Sequence, residues 1–107
     1  MMKLVLAIIN RDDCDSAITA LSENGYFATK LASTGGFLRA GNSTVLVGTE
    51  DENVEQVCEI IKNKCNSRTQ LYAPPSFHSD LSTVVPIEVT VGGATIFVLN
   101  VDKWEKI

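Results

Sequence analysis

Residues 28–42 read ATKLASTGGFLRAGN, and the rest of the chain is organised around what this stretch holds. Gly35 and Gly36 tolerate positive φ and carry no Cβ, so their backbone N–H groups can approach an oxyanion. Phe37 follows directly and sets a ring beside those amides. Arg39 adds charge, or a planar face for a purine base. Asn42 offers both a donor and an acceptor to the edge of a base. Together these features suit a nucleotide. The same residues also read as a β-hairpin in which Gly35–Gly36 is only the turn, because paired glycine is common turn chemistry. From the residues alone, the hairpin is the favoured reading.

Outward from that stretch, residues 26–34 read as the strand that enters it and residues 42–48 as the strand that leaves it. Upstream, residues 3–9 (KLVLAII) are a continuous apolar run and predict a central strand. Asp12 or Asp13 is then expected to cap a helix whose Cys14, Ala17, Ile18 and Leu21 fall at i, i+3, i+4 and i+7, one apolar stripe. Gly25 ends that helix in a left-handed conformation. The acidic cluster Asp12, Asp13 and Asp15 needs no metal or acid–base chemistry, since carboxylates in a first turn favour the helix dipole.

Downstream, Thr49 and Glu52 have capping-box spacing, and the helix they open places Val54, Val57, Cys58, Ile61 and Cys65 on one face, ending near Asn66. Residues 68–73 predict a short strand. Residues 74–86 (PPSFHSDLSTVVP) hold all three prolines and read as a long loop, functional or mobile rather than idle. Its His78, the sole histidine, reads as a solvated side chain. Residues 87–91, Gly92–Gly93 and residues 94–101 predict a hairpin. Residues 94–99 (ATIFVL) are apolar on both faces, as in a strand covered on both sides. A tail, residues 102–107, carries Trp104.

A length of 107 residues, 45% hydrophobic and 21% charged, predicts one folded domain over residues 1–107. The net charge of -4 and a pI near 4.8 argue against a nucleic-acid partner, which needs a basic stripe. The opening MMKLVLAIINRDD has too short an apolar run for a signal peptide or a span, so the chain reads as cytoplasmic with no membrane partner. Cys14, Cys58 and Cys65 form no CxxC pair, and their odd number argues against a disulfide framework. Core packing explains them better than metal binding. The sequence places no Cys-His or Ser-His-Asp set, and no Walker lysine follows the glycines, so no enzyme, cofactor or metal is expected.

The order strand, helix, strand, strand, helix, strand, with an added C-terminal β-hairpin, predicts an α+β, ferredoxin-like βαββαβ sandwich. Two helices cover only one face of such a sheet. Because the last long strand is apolar on both sides, the bare face is expected to be buried by association, most economically in a closed ring of identical subunits.

At residues 28–42 and again at 91–98 (VGGATIFV) the chain resembles the PII-like cyclic-di-AMP receptor family of Gram-positive bacteria, related to the nitrogen-regulatory PII signal-transduction proteins. The resemblance covers nearly the whole chain, beginning with KLVLAII, and it selects the ligand reading of residues 28–42. It implies a PII-like homotrimer without catalysis, with one cyclic-di-AMP in each cleft between subunits and the second messenger reported by loop reordering to a downstream protein. The ligand contacts it implies fall on Ala28, Thr29, Gly36, Phe37, Leu38, Asn42, Gly48 and Phe97. Thr29 would offer a hydroxyl, Gly36 and the following amides would hold phosphate oxygen, and Phe37 and Phe97 would wall the adenines. Asn42 would read a base edge, and Gly48 would leave room. Phe97 also reads as a core residue of an apolar strand.

The chain departs from the family pattern at three places. Gly25 and Phe27 stand where relatives carry asparagine and arginine, and Lys106 stands where a glutamine is expected. Losing one charged hydrogen bond weakens binding by roughly 1.5–3 kcal/mol. Two further functions therefore remain open at this level: a PII-like sensor of ATP or ADP, and a structural adaptor trimer that has lost its nucleotide ligand.

Overall fold

The structure, a computed structural model, describes residues 1–31, 41–66, 68–72 and 87–107, with 68–72 and 87–91 described as backbone. The expectations for Gly35, Gly36, Phe37, Leu38, Arg39, the long loop 74–86 and His78 lie outside these residues.

Strand β1 (Met2–Asn10) leads into helix α1 (Arg11–Glu23), then β2 (Ala28–Leu31) and β3 (Asn42–Glu50). A single 3₁₀ turn, Asp51–Asn53, precedes helix α2 (Val54–Lys64), followed by β4 (Arg68–Tyr72), β5 (Ile87–Val91) and β6 (Ala94–Asn100). The main sheet is antiparallel in the order β2-β3-β1-β6, and β4 and β5 form a separate two-stranded ribbon. This is the α+β, ferredoxin-like plan of a small PII-like fold, with the apolar run at residues 3–9 central as expected.

The sixth element of that plan is not the strand expected. Arg68–Tyr72 pairs with Ile87–Val91, whereas Ala94–Asn100 completes the main sheet by pairing with β1, Val98 opposite Val5. The Gly92–Gly93 connection is therefore no hairpin turn. Both glycines have positive φ, 84° and 81°, and they redirect the chain from the ribbon to the sheet. A two-residue glycine connection carries the same local signal in either case; which strand lies alongside is a non-local matter.

The core lies between the sheet and the two helices. Val5, Ala7 and Ile9 from β1 and Val45 and Val47 from β3 meet Cys14, Ala17 and Leu21 from α1 and Val57, Ile61 and Cys65 from α2 and its end, all essentially inaccessible to solvent. Both helical stripes read from the sequence face this core, with Ile18, Val54 and Cys58 half-buried at its margin. Among the described residues no helix is long and apolar enough to cross a membrane.

The helix ends differ in detail from expectation. Asn10, not Asp12 or Asp13, caps α1: its backbone is extended and its side-chain oxygen accepts from the Asp12 N–H at 2.9 Å. Asp12 and Asp13 occupy the first turn, where the dipole favours them. Gly25, at φ 83°, ends α1 as expected; its N–H donates to Ser22 and the Tyr26 N–H to Leu21, a Schellman motif. That bond occupies the Tyr26 amide, so β2 starts only at Ala28. Thr49 caps nothing, because it is a buried residue of β3 paired with Lys3. The Asp51 N–H instead donates to the Met1 carbonyl at 2.9 Å.

Candidate functional site

Alternation along the strands divides the sheet residues between two faces. Odd-numbered β1 residues face the helices. Leu4, Leu6 and Ile8 therefore point to the opposite face, which no described helix covers, and each is half-buried. Pairing extends this face sideways. One row runs Thr29–Leu46–Leu6–Phe97 across all four strands, and the next includes Gly48–Leu4–Leu99.

Of the eight residues implicated by the resemblance, five are described. Thr29, Asn42, Gly48 and Phe97 all belong to the helix-free face. Ala28 does not: its methyl packs against the core under the helices, leaving its backbone as the part available on β2. Gly36, Phe37 and Leu38 lie outside the described residues.

The four described residues on that face are spread out. Thr29 pairs with Leu46, two residues along β3 from Gly48, so those two are neighbours. Phe97 lies on β6 at the far edge, three strand spacings from Thr29, or roughly 14 Å. Asn42 starts β3 opposite Asn10, six residues and roughly 20 Å from Gly48. It adjoins Gly41, whose carbonyl accepts from the Arg11 N–H at 2.7 Å and so ties the start of β3 to the start of α1.

Gly48 is exposed, and a Cβ built on it would meet nothing within 4 Å. Its φ is not in the left-handed region either. Nothing within the described protomer requires glycine there. Phe97 is 41% exposed, with Val98 and Leu99 beside it at 47% and 45%. Among the described residues this strand is not covered on both sides as expected, since β6 is an edge strand of the main sheet.

Residues that matter to this face but were not singled out from the sequence are Leu4, Leu6, Ile8 and Leu46. The signal was the apolar character of both parities in residues 3–9. Two ion pairs lie at one end of the sheet, where the terminal ammonium meets Glu50 at 3.2 Å and Lys3 meets Asp51 at 3.4 Å. Lys3 also donates to the Asn100 side chain, tying β1 to β6. On the helix side, a shallow polar groove is lined by Asp15, Ser16, Thr19, Ala20, Glu23 and Lys64 and includes none of the expected contacts.

None of the three cysteines is in a disulfide. Burial pushes the Cys14 thiol up, against the opposing pull of Lys30 and a hydrogen bond with Ser43, and burial likewise raises Cys58. A raised thiol pKa lowers the thiolate fraction that a nucleophile needs. Among the described residues no cluster of three or more His, Cys, Asp or Glu is placed to hold a metal ion.

The family model described as "Cyclic-di-AMP receptor" matches residues 2–107. Among solved structures, a protein described as functionally unknown, from Pediococcus pentosaceus ATCC 25745, is similar at 40% identity with a TM-score of 0.77. The likeness covers 99% of this chain and 97% of that one. With the match running from the first strand to the last residue, the chain belongs to the cyclic-di-AMP receptor family.

Proposed function

We propose that the chain is a non-catalytic signal-transduction receptor that binds cyclic-di-AMP in clefts between the subunits of a homotrimer. Reordering of the long loop, residues 74–86, reports the ligand to a downstream protein. Membership of the family supports the ligand. The observation that carries the cleft is the separation of Thr29 and Gly48 from Phe97, on opposite edges of one uncovered face. Side chains roughly 14 Å apart do not line the same base. They converge when the β6 edge of one copy meets the β2–β3 side of the next, a heterologous contact that closes into a ring. The exposed Phe97 and Leu99 and the half-buried leucines of β1 supply the apolar surface such a contact buries.

In this arrangement Thr29 offers its hydroxyl, Phe37 and Phe97 wall the two adenines, and Gly36 and Leu38 present backbone amides to phosphate. Asn42 reads a base edge, Gly48 admits the ligand closely, and Ala28 contributes its backbone. Gly25 no longer speaks for a lost site, because its positive φ at the end of α1 accounts for the residue.

The test is isothermal titration with cyclic-di-AMP, with ATP and cyclic-di-GMP as controls, alongside light scattering. Saturation at one ligand per subunit of a trimer, lost in Phe37→Ala, is the expected result. Heat with ATP alone would move the protein to the mononucleotide sensors, and silence with all three to the adaptor that has lost its ligand.

A further inference from the structure

Two asparagines stand opposite each other where β1 ends and β3 begins, Asn10 and Asn42. Their side chains are used differently. The Asn10 side-chain oxygen accepts the Asp12 N–H at 2.9 Å as the cap of α1, so it is committed within the fold. The half-buried Asn42 amide has no hydrogen-bond partner among the described residues. The residue before it is bent. Gly41 has φ 92°, in the left-handed region, and its carbonyl accepts the Arg11 N–H at 2.7 Å. Arg11 is the first residue of α1, so its N–H has no partner inside the helix. A Cβ on Gly41 would meet nothing within 4 Å; the backbone angle, not space, calls for glycine.

From this geometry we infer that Gly41 and the Arg11 N–H are positioning groups for Asn42, bracing its amide against the start of α1. The inference rests on the receptor reading above and deepens it by naming what holds the base-reading residue in place. An amide reads a base edge only when donor and acceptor are both held within about 0.5 Å of the productive geometry. The end of a strand is prone to fray, and Asn42 is the first residue of β3. The left-handed bend at Gly41 turns its carbonyl onto the donor that α1 leaves free. Helix α1 is itself fixed in the core by Cys14, Ala17 and Leu21, so its order extends through this bond to Asn42.

The experiment titrates the full chain with cyclic-di-AMP as Arg11→Pro, Arg11→Ala, Gly41→Ala and Gly41→Asn, each with and without Asn42→Ala, and records the thermal midpoint of each. Arg11→Pro removes the donor and leaves the helix intact. Proline suits the first helical position, and Asn10 already has φ -60° and ψ 138°, as a residue before proline adopts. Arg11→Pro and Gly41→Ala are expected to weaken binding roughly two- to tenfold. Arg11→Ala, which loses the same charge but keeps the N–H, retains more affinity than Arg11→Pro. Gly41→Asn restores affinity lost in Gly41→Ala, because asparagine tolerates the left-handed region. Once Asn42 is alanine, neither Arg11→Pro nor Gly41→Ala weakens binding further. Equal losses in both backgrounds overturn the inference, since a merely structural role acts whether or not Asn42 is present. Unchanged affinity in Arg11→Pro overturns it too, as does unchanged affinity in Asn42→Ala; both leave the receptor reading intact. Should Gly41→Ala not fold, Arg11→Pro decides alone. Absence of cyclic-di-AMP binding in the unsubstituted protein defeats the receptor reading itself, and the brace with it.

Discussion

Gly25 carries two readings from the sequence, the left-handed end of α1, which the structure bears out, and a departure from the family pattern. Set against relatives it looks like a missing polar contact, yet it sits at φ 83° with its N–H on Ser22, closing α1. Gly25→Ala is expected to lower stability by about 1 kcal/mol, through strain at a left-handed position. Urea unfolding measures this, and an unchanged midpoint would contradict it. The thiols act at the same scale. Burial raises Cys14 and Cys58 above their ordinary value of 9.0. The unfolded chain therefore releases these protons first. Their contribution is full below about pH 9 and is lost as pH rises through the raised values, so stability falls on the alkaline side. Unfolding midpoints followed upward from about pH 8 should decline more steeply than in a Cys14→Ala, Cys58→Ala variant. Parallel curves would exclude the thiols as the cause.

At the level of elements, what was legible in the sequence is what depends on local periodicity. The stripes of α1 and α2 and the central strand were read correctly because burying one helical face imposes a 3.6-residue repeat. The capping residues were less legible. Asn10, Asp12 and Asp13 are all good caps, and the backbone conformation at Asn10 decides among them. Asn10→Ala is expected to cost about 1 kcal/mol, measurable as a shift in thermal midpoint, whereas Asp12→Ala should shift it less. Equal shifts would mean that the dipole, not the cap, dominates. Strand partnership was least legible. The β4–β5 ribbon and the β1–β6 pairing rest on contacts between distant segments, and the paired glycines at 92 and 93 suit either arrangement.

At the scale of the whole molecule, the candidate site was legible only in part. The residues of β2, β3 and β6 came from resemblance, and the register then put Thr29, Asn42, Gly48 and Phe97 on one face and Ala28 on the other. No sequence period reports that Thr29 and Phe97 lie on opposite edges. The uncovered face also makes a prediction about assembly. Leu6 lies at its centre, between Leu46 and Phe97. Leu6→Glu puts a charge where a subunit contact would desolvate it, at a cost that association does not recover. Light scattering should then report the mass of one subunit, with circular dichroism unchanged. A persistent trimer would place the interface elsewhere.

The pairing of β1 with β6 sets a condition on how the chain can fold. Strand β1 finds β3 once residue 50 exists, but its other side waits for Asn100, which pairs with Lys3 across 97 positions. Contacts of such separation close late, after the loop entropy between them has been overcome. Until then β1, with Leu4, Leu6 and Ile8 along it, keeps one edge of unpaired backbone groups, which can recruit a strand from another molecule. A chain cut before Ala94 would keep that edge permanently, and its most apolar strand, central in the finished sheet, would become the point from which it aggregates.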